Sequence, residues 1–272
     1  MLLKYLQNVQ QGKPVNYQKM LALLPPAFYQ RRTELFKVKA SGAGKWQVSI
    51  ADATLFDALL QSAAAPADRV TASLQGDSHR VQTSHCYLLV YHAGCAGPRP
   101  DLVLAAGSTE GTGQAQLSLG FTPKPTLLLI ENEENFFRYP QVLTLCRQML
   151  AEPFALEHCD VALAAGSRIG SALLSPLLAG YQQIFCAFDF DSAGLEVFDH
   201  LHKRYGDKVR FVVPPDLTPW LSGFRAEAKS AAQLQRAVEL ADQHQLYGLA
   251  QALLTTKRFL EQEVLLAGCS GI

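Results

Sequence analysis

Residues 184–194 read Ile-Phe-Cys-Ala-Phe-Asp-Phe-Asp-Ser-Ala-Gly, an apolar run that breaks into Asp189 and Asp191 and then turns through Ser192, Ala193 and Gly194. The pattern predicts a buried strand that ends abruptly. Carboxylates at i and i+2 of an extended segment point the same way, and two held so close repel unless a cation or a proton lies between them. A second apolar run, residues 126–130, ends likewise, with Glu131 as its first charge. Carboxylates at the carboxyl ends of two buried strands are how an open α/β sheet builds a divalent-cation site.

The flanking rhythm supports such a sheet. Strand-like runs at 126–130, 161–164, 184–188 and 209–213 alternate with helical patterns at 139–150, 171–178 and 195–205. The expected fold class is therefore α/β, a doubly wound parallel sheet whose carboxyl edge carries Glu131, Gly166, Asp189 and Asp191. From residue 220 the chain reads as a helical extension, with apolar periodicity over 230–244 and 248–266. The N-terminal part reads as α+β: helices over 17–24, closed by Pro25-Pro26, over 28–36 and over 51–63, with a hairpin within 37–50. Helices plus a small hairpin suggest a winged-helix-like module. Residues 69–119 read as β, with strands at 86–91 and 102–105. The expected division is 1–119, a DNA-binding region; 120–219, the α/β domain; and 220–272, the helical extension.

Composition narrows the function classes only a little. Lys+Arg and Asp+Glu both total 24, so any surface for nucleic acid must be local. No apolar run approaches the ~20 residues of a membrane span, and the expectation is a soluble, cytoplasmic protein with no membrane partner. The six cysteines form no Cys-x-x-Cys pair and read as reduced structural thiols, so zinc is not expected.

A glutamate closing one strand, a glycine after the next (Ala164-Ala-Gly166-Ser) and Asp-x-Asp closing a third resembles the Toprim domain shared by topoisomerases, primases and several nucleases. Leu129-Ile-Glu-Asn-Glu-Glu-Asn-Phe136 and Phe188-Asp-Phe-Asp-Ser-Ala-Gly-Leu195 resemble motifs of the DNA-cleaving subunit of SMC-linked plasmid-defence systems, the JetD and MksG proteins. Arg258-Phe-Leu-Glu-Gln-Glu263 resembles that family's closing segment, and the likeness spans roughly residues 126–265. The resemblance implies a metal-dependent DNA endonuclease acting on double-stranded DNA, a condensin-type SMC-like partner complex and a homodimer.

The candidate catalytic residues are then Glu131, Asp189 and Asp191, and these with Glu263 are the candidate ligands for Mg²⁺ or Mn²⁺. Hard oxygen donors in an incomplete protein shell suit those ions. Candidate DNA contacts are Arg31, Arg32, Lys37 and Lys39, beside Lys45 and interleaved with Tyr29 and Trp46; His79 and Arg80; and Arg168 with Ser167 after Gly166. Each feature also has a plainer reading. An aspartate in Asp-x-Asp-Ser-Ala-Gly suits a helix cap, the basic stretch suits a solvated helix face, and Asp77–Val81 suits a hairpin turn. Glu134 suits the positive end of a helix dipole, and His200, His202 and Lys203 suit a surface. Two other functions fit the same residues: a type IIB topoisomerase-like transesterase using Tyr17 or Tyr29, and a non-catalytic DNA-binding adaptor.

Overall fold

The computed structural model describes every residue except 43, 64–82, 96, 108–114 and 270–272. The chain forms two units, Met1–Thr83 and Ser84–Ile272.

In the first unit, helices Leu2–Gln10, Tyr17–Leu21, Pro26–Gln30 and Arg32–Leu35 precede a hairpin of β1 (Phe36–Gly42) and β2 (Lys45–Ile50), and helix Ala53–Ala63 follows. Asn16 caps the second helix by accepting the Lys19 N–H at 3.0 Å. The helix expected over 28–36 is split, and Phe36 already pairs with Ile50 in the hairpin. The ring of Phe36 packs edge-on against Tyr17 and Phe56, and that burial favours the strand over another helical turn. Leu6, Met20, Leu35, Phe56 and Leu59 form the centre of this unit's core.

The second unit is a mixed α/β structure around one seven-stranded sheet. Its strands are β3 (His85–Tyr91), β4 (Asp101–Gly107), β5 (Ala115–Ser118), β6 (Thr126–Ile130), β7 (Cys159–Leu163), β8 (Gln183–Ala187) and β9 (Val209–Phe211). Their order is β5-β4-β3-β7-β6-β8-β9. β6, β7, β8 and β9 are parallel, as the rhythm of the sequence predicts. The expectation of an all-parallel sheet is corrected by β3, β4 and β5, which extend it in antiparallel fashion through Val90↔Ala162 and Tyr91↔Val161. All five residues of β7 are buried, and β3 pairs the backbone groups that such a strand would otherwise leave unmatched at the sheet's edge. Strands β3, β4 and β5 thus belong with the sheet of the second unit, whereas the expected division had set them N-terminal to residue 120.

The C-terminal segment also joins this body. Phe259, Leu260, Leu265 and Leu266 share the core of the central strands. Ser230 caps helix Ala231–Gln243 by accepting the Gln233 N–H. The helix expected over 248–266 is instead two, Tyr247–Thr256 and Gln262–Cys269. Lys257 closes the first in the left-handed region at φ 54, Arg258–Phe259 pairs with Ala226–Glu227, and Leu260 bridges to Phe190. Among the described residues no helix is long and apolar enough to cross a membrane.

Candidate metal centre

Parallel strands ordered β7-β6-β8-β9 place the topological switch point between β6 and β8, whose outgoing connections run to opposite sides. Glu131 is the first residue beyond β6, and its N–H donates to the Ala187 carbonyl at the end of β8 at 3.2 Å. The Glu131 Oε2 in turn accepts the backbone N–H of Asp189 at 3.2 Å. Two residues 58 apart in sequence are therefore in direct contact at the carboxyl edge of the sheet. Phe188 and Phe190 are wholly buried, and in an extended segment this alternation turns Asp189 and Asp191 to the opposite side.

Asp191 realises the capping role as well. Its Oδ1 accepts the Gly194 N–H at 2.8 Å at the start of helix Ser192–Tyr205. Gly194 is required by close approach: a Cβ there would lie 2.5 Å from the Asp189 carbonyl oxygen and 3.2 Å from Glu131 Oε2. The fourth carboxylate arrives from the C-terminal helix. Asn132, which caps helix Glu133–Phe137, donates its side-chain N–H to Glu263 Oε1, while Glu263 Oε2 is buried without a hydrogen-bond partner. The Gln262 backbone N–H reaches Asp189 Oδ1 at 2.8 Å.

The electrostatics follow from that crowding. Burial raises the Glu131 carboxyl to about 7, aided by the charges of Asp189 and Asp191 and opposed by the Asp189 N–H. Burial likewise lifts Asp189 to about 6, opposed by the Gln262 N–H and aided by Glu263, Asp191 and Glu261. Glu131 and Asp189, both of raised proton affinity, and one buried oxygen without a partner, Glu263 Oε2, supply the hard oxygen donors that a divalent cation takes, although among the described residues no three of these carboxylates bring oxygens within 4.8 Å of one another.

Beside Glu131 lies a cleft of about 580 Å³ that also touches Gly166, Gly170 and helix Ser192–Tyr205. The turn after β7 carries two successive left-handed residues, Ala165 at φ 48 and Gly166 at φ 61, and continues as the 3-10 segment Gly166–Gly170; the helix expected over 171–178 follows as the 3-10 turn Ala172–Leu174 and helix Ser175–Gly180. Arg168 is exposed, its guanidinium 4.4 Å from the centre of the Tyr87 ring. Glu134 pairs with Arg138 on the surface, in keeping with its plainer reading.

The remaining candidates divide clearly. Lys37 and Lys39 project from β1, exposed, and by the hairpin register share a face with Lys45. Arg31 is engaged by Glu34 at 2.8 Å, and Arg32 by the Tyr29 carbonyl and ring. Tyr17 is buried between Phe36 and Trp46, whereas Tyr29 is exposed. His79 and Arg80 lie outside the described residues.

Sequence reasoning missed Gln262, whose contribution is a backbone N–H and leaves no mark on residue type. It also missed a gathering of His92, Cys95 and Asp101, whose ligand atoms lie within 4.8 Å of one another. There His92 Nε2 donates to Asp101 at 2.8 Å, Nδ1 accepts the Gly94 N–H at 3.1 Å, and the ring stacks on Phe121. Both ring nitrogens are thus engaged within the fold, the arrangement of a structural histidine. Compared with protein-family models, curated proteins and solved structures, this chain matches none.

Proposed function

We propose that this chain is a divalent-cation-dependent DNA endonuclease of the Toprim type. The observation that carries the reading is the Glu131 Oε2 to Asp189 N–H contact at 3.2 Å, which ties the carboxylate after one strand to the backbone of the acidic segment after the other, at the switch point of the sheet. Glu131, Asp189, Asp191 and Glu263 would hold Mg²⁺ or Mn²⁺. When bound, the cation supplies positive charge that polarises a phosphate oxygen and stabilises the departing 3′-oxygen.

Each side chain has its own part. Glu131 would act either as a ligand or as the group that accepts a proton from an attacking water. Asp191, with Oδ1 fixed by the Gly194 N–H, is held rigidly at the helix start. Asp189 is oriented by the Gln262 N–H, and Glu263 by Asn132. Lys37 and Lys39 on β1 would grip the backbone of double-stranded DNA. Work within a condensin-type SMC-like complex, and as a homodimer, are further parts of the proposal that rest on the motif resemblance.

Incubating plasmid with the protein and Mn²⁺ tests it. Nicked or linear product with 5′-phosphate ends is expected, and Asp189→Ala should lose it by at least about a hundredfold. Undiminished cleavage by that variant removes the mechanism, and a covalent protein–DNA adduct would point to the tyrosine reaction instead.

A further inference from the structure

We propose that the cleft beside Glu131 seats a single unpaired nucleoside of the DNA, next to the phosphate to be cut; the inference rests on the nuclease reading above. One wall is the glycine-bounded turn Gly166–Gly170, and the other is a stripe of helix Ser192–Tyr205 made by Ala193, Glu196, Val197 and His200. These positions recur at i, i+3, i+4 and i+7, one face of the helix over a rise of about 10 Å. Glu131 lies at one end, near Gly194. At the other the His200 ring lies against Gly170, where an added Cβ would sit 3.1 Å from the imidazole. Arg204 ties the walls together by donating to the Gly170 carbonyl at 3.3 Å.

The chemistry of the lining selects its occupant. Glycine backbone, a methyl and an isopropyl group offer flat apolar contact, and a volume of about 580 Å³ is that of a site for a small organic group. The charges on the lining are the carboxylates Glu131 and Glu196, the latter steadied by Arg236 at 3.6 Å, so a phosphate is repelled from the slot itself. A nucleobase is suited: its faces are apolar, and its exocyclic N–H groups donate to Glu196, while the His200 imidazole offers a partner to its edge. A base that is stacked and paired within the duplex cannot enter the slot. The nucleotide flanking the cut must therefore leave the helix, which costs least where it is already unpaired.

Fluorescence anisotropy in Ca²⁺, with the full chain, tests this on a labelled duplex and on the same duplex carrying two unpaired nucleotides. The wild type should bind the second about tenfold more tightly. Ala193→Leu, an exposed position that narrows the slot, should reduce that preference to less than twofold, and Val197→Leu should weaken it in the same direction. A preference unchanged in both variants, or absent from the wild type while Mn²⁺-dependent cleavage stands, overturns the slot. The preference standing, and lost in Ala193→Leu, while no cleavage occurs in Mn²⁺ supports the slot and removes the nuclease reading instead.

Discussion

The backbone N–H of Gln262 donates to Asp189 Oδ1 at 2.8 Å across 73 residues of sequence, so the C-terminal segment finishes a site that the central strands begin. Leu260 fixes that segment in register, its carbonyl accepting the Phe190 N–H at 2.9 Å. Gln262 opens its helix, where proline fits the backbone and removes the N–H together with a buried carboxamide. Gln262→Pro should therefore leave the helix in place, raise the proton affinity of Asp189 further, and weaken Mn²⁺ binding about tenfold in a calorimetric titration. Unchanged affinity would show that this hydrogen bond does not shape the site.

Gly194→Ala should cost stability out of proportion to one methyl group. The added Cβ would meet the Asp189 carbonyl oxygen at 2.5 Å and Phe188 Cβ at 3.2 Å, the first a backbone atom and the second fixed directly to the backbone. Overpacking of this kind costs about 2 kcal/mol, a fall in Tm of roughly 4–8 °C for a unit this size. Calorimetry should record that fall together with loss of cation binding, because the methyl group pushes on Glu131 and Asp189 alike.

The raised carboxyls set a pH dependence whose sign is fixed. Glu131 at about 7 and Asp189 at about 6 hold protons that the unfolded chain has already released above about 4. Without cation their contribution to stability is full below about pH 4 and is lost as pH rises through 6 and 7. A bound cation needs both ionised, so its stabilisation grows over the same window. Melting curves in EDTA should fall from pH 5 to 8 while those in Mn²⁺ separate upward from them, and Glu131→Gln should flatten the EDTA series. Parallel series in the two conditions would contradict the assignment of these carboxylates as ligands.

The site was legible where chemistry and burial coincide. Glu131 and Asp189 each stand at the point where a buried apolar run meets its first charge, and that alone located both strand ends. Three things were not legible. β3, β4 and β5 have a half-exposed alternation that marks them as strands and says nothing about which edge they join. The break at Lys257 lacks glycine or proline, and apolar periodicity runs straight through it; tertiary pairing of Leu260 with Phe190 overrides the local pattern. Phe36 continues a good helical sequence, yet the aromatic contacts with Tyr17 and Phe56 draw it into the hairpin.

Salt dependence should distinguish the basic residues that face solvent freely from those already engaged. Lys37, Lys39 and Lys45 share one exposed face of the β1–β2 hairpin, whereas Arg31 is held by Glu34 at 2.8 Å. Each lysine that neutralises a phosphate contributes about 0.9 to the slope of log affinity against log salt concentration. Lys37→Gln and Lys39→Gln should each reduce the slope by about that amount and weaken binding uniformly across DNA sequences. Arg31→Gln should change it by less, since the guanidinium must first leave its carboxylate. Anisotropy titrations at several NaCl concentrations measure all three, and a slope that falls for Arg31→Gln but not for the lysines would move the DNA surface from the hairpin to the helix before it.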